Sequence, residues 1–404
     1  MTLRVLLATA TPWPFPARLA HAFASLGARV EALCLAASPL HVSAVPARLH
    51  GFSAHAPLRS LARAIEAAEA GLLIPCDDLM AELAWKLAAT RPRFAPLVAR
   101  SLGAPGEFPV LSARNAFLRA AAEAGAPAAD TIALETDGDL DRALAAFGLP
   151  LVLKADGSWG GGGVVIAPDA EAARAALARL RHVSRLTLAL KALKRREPSL
   201  WVRALAAPRH PRPGAQRFVA GTPATSAIAC WDGMLLAAHH FDVAVASGGG
   251  TGPATVVERV EDAAMQDSAA KIAARFKLSG LYGLDYMRDA EGKVFLLEIN
   301  PRATPTSHLA LGAGHDLVAA LMRAAGAPVA DRPLLTAKTR IALFPQEMQR
   351  DPQSPHLKAG FHDLPLGDRG LLKALTAKPR RLTRFSQGFP QLSWPKSAPG
   401  PLSR

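Results

Sequence analysis

Cysteine is scarce: the 404 residues hold three, Cys34, Cys76 and Cys230. They are too widely spaced for a disulfide framework or a zinc site. That usage fits a reducing cytoplasm. Aromatic residues make up only 6% of the chain, and no aromatic platform for stacking bases stands out. No run of 18 apolar residues free of charge appears, which argues against a spanning helix. G-x-x-x-x-G-K-[ST] does not occur, which excludes the P-loop, and no G-x-G-x-x-G follows the first apolar run, which leaves a dinucleotide-binding reading weak. There is no internal repeat.

What is abundant is positive charge. The formal net charge is +14, a value that raises the question of nucleic acid. The charge is concentrated. Arg181 to Arg217 holds ten Lys or Arg against one Glu, and Arg369 to the end holds eight with no acid. No zinc finger or reading helix accompanies either cluster, so the nucleic-acid reading ranks low. A basic cover over phosphates or an acidic substrate explains the first cluster, and a solvated surface explains both.

Short apolar runs alternate with helical patterns over the first hundred residues. Arg4 to Ala8, Val30 to Leu35 and Leu72 to Pro75 read as strands. Ala17 to Leu26, Leu58 to Ala70 and Met80 to Ala89 read as helices. This order predicts an α/β fold whose first domain, about 1–108, is a parallel sheet with helices on both sides. Ligands collect at the carboxyl ends of such strands, so Thr9 to Phe15 and Cys76 to Asp78 are candidate substrate contacts. Asp77 and Asp78 serve equally well as helix caps. Ser112 reads as an N-cap for a helix over Ala113 to Ala124. The opening segment reads as a buried strand entering a loop rather than a signal peptide.

Leu151 to Lys154 reads as a strand, followed by Ala155-Asp-Gly-Ser-Trp-Gly-Gly-Gly-Gly163. A glycine run exposes backbone N–H groups without side-chain obstruction and can cradle phosphate oxygens. Lys154 at the strand end adds a point charge.

The densest chemistry lies in Leu281 to His308, LYGLDYMRDAEGKVFLLEINPRATPTSH. Leu284 to Met287 and Val294 to Ile299 alternate as strands. Arg288 to Lys293, with Asp289 and Gly292, reads as a tight turn between them. Glu298 and Asn300 are two apart and so share a face. Paired as a hairpin, the strands bring Asp285 to that face, giving a hard-oxygen cluster suited to Mg²⁺. Arg302 follows with a guanidinium for anionic oxygens.

Together Lys154, the glycine run and Glu298-Ile-Asn300-Pro-Arg302 resemble the ATP-grasp family, over roughly Met1 to Ala330. The branch is that of biotin carboxylase, carbamoyl-phosphate synthase and the D-alanine–D-alanine ligases. The resemblance implies an ATP-grasp domain at 109–335 with a mobile lid subdomain at about 128–215. A basic, partly disordered C-terminal extension at 336–404 lies outside it. It implies ATP and Mg²⁺, or Mn²⁺ in its place, as cofactors. Asp285, Glu298 and Asn300 would hold the metal. Lys154, Arg114, Ser158, Gly160, Gly161, Gly162 and Gly163 would meet phosphates. Gln216, Phe218 and Val219 would form the adenine hinge. Arg302, Lys154 and His308 would serve catalysis. Two positions depart from the family pattern: Arg114 or Asn115 stands where a helix lysine is usual, and Arg217 stands where the hinge carries Glu.

The implied reaction is a carboxylate–amine or carboxylate–thiol ligation through an acyl phosphate, releasing ADP and phosphate. Its partners would be a small carboxylate and an amine or other nucleophile, in a cytoplasmic enzyme with room for a homodimer. The alternatives are a carboxylase or kinase-like enzyme of the same fold, and a non-catalytic ATP-binding regulator.

Overall fold

The structure, a computed structural model, describes residues 2–155, 164–181, 212–248 and 252–377. Its first sheet contains β1 (Arg4–Ala8), β2 (Arg29–Cys34), β3 (Arg48–Gly51) and β4 (Leu72–Pro75). All pairings are parallel and the order is β3-β2-β1-β4. β1, β2 and β4 are apolar almost throughout because both faces are covered. Helix α1 (Phe15–Ala24) packs on one face. Helices α2 (Pro57–Ala68), α3 (Asp78–Thr90) and α4 (Ala95–Leu102) pack on the other.

Ser112 does not start the next helix. It closes a one-turn helix, Phe108–Leu111, and α5 (Arg114–Glu123) begins after Ala113, which offers no side-chain cap. α5 leads into a small antiparallel sheet made of β5 (Thr131–Ala133), β6 (Leu151–Ala155), β7 (Val164–Ala167) and β8 (Pro213–Arg217). Its order is β5-β8-β6-β7. Helices α6 (Asp137–Phe147) and α7 (Ala170–Arg181) cover one face with a core of their own.

The largest sheet has seven strands in the order β13-β12-β9-β10-β11-β14-β15. They are β9 (Thr222–Trp231), β10 (Met234–Ala246), β11 (Ala254–Arg259), β12 (Gly280–Arg288), β13 (Val294–Asn300), β14 (Arg340–Ala342) and β15 (Phe361–His362). Helix α8 (Ala263–Arg275), capped by Asp262, covers one face. Helix α9 (Leu317–Ala324), capped by Asp316, covers the other. The first and largest sheets share two apolar cores, because α9 packs with Val5, Leu7 and α1, while Tyr282, Leu284 and Tyr286 pack with α3 and α4. The small sheet has a core to itself, and the far strands of the largest sheet add another, formed by Phe241, Val257, Leu309, Leu311, Ile341 and Leu343.

Much of the segment read from sequence as an extension belongs to the body. β14 pairs with β11, β15 pairs with β14, and α10 (Arg369–Thr376) buries Leu371 against the first domain. Strands of two or three residues are too short to show an alternating pattern, and their pairing is decided by distant partners. Residues 378–404 lie outside the described residues.

Two acidic residues of this segment clasp α1. Asp363 accepts from Arg18, and its other oxygen lies 2.8 Å from His308 Nε2. Asp368 lies 2.8 Å from His21 Nε2. His308 is therefore a buried partner of Asp363, not a group open to substrate as the sequence suggested. Burial lowers its pKa although Asp363 beside it pulls the other way. Replacing Asp363 by Ala strands a nearly buried guanidinium, which costs about 3 kcal/mol or more. The expected result is a clearly lower urea midpoint for Asp363→Ala than for Asp363→Asn. Equal midpoints for both variants and the parent would show that the clasp holds nothing.

Candidate active site

The turn between β12 and β13 forms as its sequence suggests. Gly292 adopts a left-handed φ of +83°, and Asp289 Oδ1 accepts from the Lys293 backbone N–H at 2.8 Å. Beyond the turn the ladder is not regular. Tyr286 pairs with Leu296, but Asp285 pairs with Glu298, so Leu297 is an extra residue. Strict alternation would put Glu298 on the same side as Leu296, which lies in the core with Leu284 and Tyr286. The bulge reverses the faces beyond it. Glu298 and Asn300 are thereby carried to the face of Asp285, and Ile299 turns inward beside Leu284.

The three side chains meet. Asn300 Nδ2 donates to Asp285 Oδ2 at 2.9 Å. Thr225, directly opposite Asp285 on β9, donates to Oδ1 at 2.9 Å. Thr225 escaped the sequence reading, because one threonine in a strand gives no signal until the register is known. Burial, then the charge of Glu298, raises the Asp285 carboxyl to a pKa of about 6. Burial also works against the charge on Glu298, but Arg114 and Lys154 more than offset it and hold its pKa below the ordinary value. Gly283 stands opposite Asn300, where a Cβ would collide with the side chain of Thr304.

Cations arrive from the small sheet and its leading helix. Arg114, the first residue of α5, donates from Nη2 to Glu298 Oε2 at 2.7 Å. Sequence reasoning offered Arg114 to phosphate; here it rests on a carboxylate. Leu151, Leu153 and Ala215 face the small sheet's own core. Lys154, Val152, Gly214 and Gln216 therefore share its opposite face, with Lys154 paired to Gly214 and Val152 to Gln216. Lys154 is buried. Burial lowers its pKa to about 8, although Glu298 and Asp285 favour its charge.

Gln216 is buried too, and its Nε2 has no hydrogen-bond partner among the described residues. Phe218 and Val219 follow as half-buried irregular chain before β9. Arg217 pairs with Asp130 at 2.9 Å and lies over the Phe147 ring, on the face away from Gln216. Asn115 accepts from Thr131 at 2.7 Å and ties α5 to β5. Ser158 and Gly160 to Gly163 lie outside the described residues.

Arg302 is fixed on several sides. Its Nε donates to Asp78 Oδ1 at 3.0 Å and its Nη2 to Asn300 Oδ1 at 3.1 Å. Its guanidinium lies 5.6 Å from the centroid of Trp13, which is 37% exposed. The next residue, Ala303, donates its backbone N–H to Pro75 O at 3.0 Å, which moors this corner to the carboxyl end of β4. The two neighbouring aspartates divide their roles. Asp77 caps α3 through Met80 N and holds Thr9 and Ala10, while Asp78 reaches Arg302. His240 is a buried structural link, with Ser226 at 2.7 Å and Gln266 at 2.9 Å.

No family model matches the chain. Among curated proteins, a phosphoribosylamine–glycine ligase of Streptomyces coelicolor (strain ATCC BAA-471 / A3(2) / M145) is 43% identical over 93 residues. That match covers 20% of this chain and 22% of the ligase. Solved structures match over far more of the chain. A complex of Campylobacter jejuni biotin carboxylase with β,γ-ATP aligns with a TM-score of 0.59 at 12% identity, over 81% of this chain and 72% of that one. An ADP complex of an N5-carboxyaminoimidazole ribonucleotide synthetase aligns at 0.58 and 14%, over 83% and 80%. The biotin carboxylase domain of Hydrogenobacter thermophilus 2-oxoglutarate carboxylase, with MgADP and bicarbonate, aligns at 0.58 and 14%, over 81% and 70%.

The chain has the ATP-grasp fold. The Lys154 face of the small sheet lies across from the β12–β13 hairpin, joined to it through Arg114 on Glu298. The donor set fits Mg²⁺, because it is made of hard oxygens in which two carboxylates already strain each other's ionisation. Among the described residues no three His, Cys, Asp or Glu side chains gather as a metal site. A cation here would rest on two carboxylates, the Asn300 amide and oxygens brought from outside.

The raised pKa of Asp285 has a stability consequence. Its folded pKa of about 6 lies above the ordinary 3.8. The contribution is therefore fully present below about pH 4 and is lost as pH rises through 6. Asp285→Asn should accordingly have a higher urea midpoint than the parent at pH 7.5 without metal or nucleotide. The gap should close near pH 4, and a gap independent of pH would contradict the assignment.

Proposed function

We propose that the chain is an ATP-dependent enzyme that activates a carboxylate or bicarbonate as an acyl phosphate and releases ADP and phosphate. The observation that carries this reading is the convergence of Asp285, Glu298 and Asn300 on one face, opposite Lys154 and Arg114. Mg²⁺ bound by the two carboxylates and Asn300 would supply charge neutralisation of β- and γ-phosphate oxygens.

The remaining work falls to the chain's own groups. Lys154, predominantly protonated at neutral pH, offers a buried positive charge to phosphate. The Gln216 amide, with Nε2 unpartnered on the same face, suits the nitrogen-rich edge of adenine. Arg302 uses three of its five N–H groups on Asp78, Asn300 and the Ala303 carbonyl. The other two remain for an anionic oxygen, held in place before reaction. The acid's oxygen bonds to the γ phosphorus while the bond to the β–γ bridging oxygen breaks, with ADP leaving. A nucleophile then displaces phosphate from the acyl carbon.

The fold neighbours favour bicarbonate as the activated acid and a carboxylation as the outcome. The matched segment of the phosphoribosylamine–glycine ligase favours the second reading, carboxylate–amine ligation. ADP release measured with bicarbonate, and separately with pools of acids and amines, distinguishes the two. Glu298→Gln should lower the turnover number by about 10²-fold or more. Substrate-dependent release of AMP and pyrophosphate would sink the acyl-phosphate route.

A further inference from the structure

We propose that Arg114 is an exchangeable counter-ion, which covers Glu298 while the cleft holds no nucleotide and moves to phosphate when a metal–nucleotide complex arrives. The inference rests on the ATP reading of the cleft, and it concerns the order in which the metal and nucleotide enter.

The geometry sets up a competition. Arg114 Nη2 sits 2.7 Å from Glu298 Oε2, on a carboxylate that would otherwise be a metal ligand. Both side chains keep some exposure, 18% and 30%, so the pair is reachable from the cleft. Arg114 Nη1 also lies 3.4 Å from the carbonyl of Ala155, the last residue of β6 and next to Lys154. The guanidinium thus bridges the lid strand and the metal-side strand. Arg302 also acts on both carboxylates but is itself paired with Asp78, so among the described residues Asp285 and Glu298 are offset chiefly by Arg114 and Lys154. This group is balanced without any metal. A bare divalent ion must displace Arg114 from Glu298 and remain close to two positive charges. A metal carried on a triphosphate brings the negative charge that Arg114 can move to, and a guanidinium binds phosphate oxygens as well as it binds a carboxylate.

An exchangeable counter-ion and a fixed structural tie give opposite results on substitution. The probe is Mn²⁺, with the free ion followed by electron paramagnetic resonance on the full chain at pH 7.5 without nucleotide. Arg114→Gln keeps a hydrogen-bonding amide but removes the charge. It should bind Mn²⁺ at least about tenfold more tightly than the parent, while metal-free ADP affinity by calorimetry falls about tenfold. Arg114→Lys, with a shorter reach and a point charge, should shift both in the same directions by about threefold. It decides the matter alone should the Gln variant not fold. Adding Glu298→Gln to Arg114→Gln should abolish the gained Mn²⁺ affinity. Mn²⁺ affinity unchanged or weaker in the Arg114 variants would overturn the proposal. No turnover is read, so a failed acyl-phosphate assay and a failed exchange are separate results.

Discussion

Two carboxylates held side by side repel one another, and the centre of this molecule is arranged around tolerating that contact. Asp285 and Glu298 are directly opposed on adjacent strands. Their proximity is sustained by Thr225 and Asn300 on one side and by Arg114 and Lys154 on the other. An uncompensated pair at this depth would bind a proton instead of staying doubly charged, and Asp285 is already shifted that way.

The supporting charges come from different mechanical parts. Asp285 and Glu298 belong to the large sheet, whose two faces share apolar cores with the first domain. Lys154 belongs to the small sheet, which has a separate core. Arg114 stands at the start of the helix joining them. A subdomain with a core of its own can shift as a body without opening the core of its neighbours. Polar contacts, not apolar packing, therefore link the small sheet to β12 and β13. Hydrogen bonds and ion pairs of this sort can exchange partners, whereas a fused core could not.

At the other end of the site the first domain supplies a fixed wall. Arg302 is braced by Asp78 and Asn300 and faced by Trp13. The chain just beyond it is moored to Pro75 at the carboxyl end of β4. This is where a parallel sheet gathers ligands, and the loop bearing Trp13 is held from below by Asp77 through Thr9 and Ala10. The clasp of Asp363 and Asp368 on α1 fixes the helix that follows that loop. Residues far along the chain thus set the position of the earliest loop.

The amino-acid sequence by itself determined the short-range features: the buried parallel strands, the helices that alternate with them, the Asp289–Lys293 turn, and the clustering of Asp285, Glu298, Asn300 and Arg302 within one hairpin and its exit. Each rests on composition, a cap or a period within a dozen residues. Tertiary structure alone decided which way those groups face and what they touch. The bulge at Leu297 turns Glu298 away from the core that simple alternation would assign it. His308 finds Asp363 across 55 positions and leaves the site, and Arg114 finds Glu298 across 184. Local periodicity specifies an element and its apolar side, but partners so distant in the chain are selected only when whole sheets pack and their registers lock.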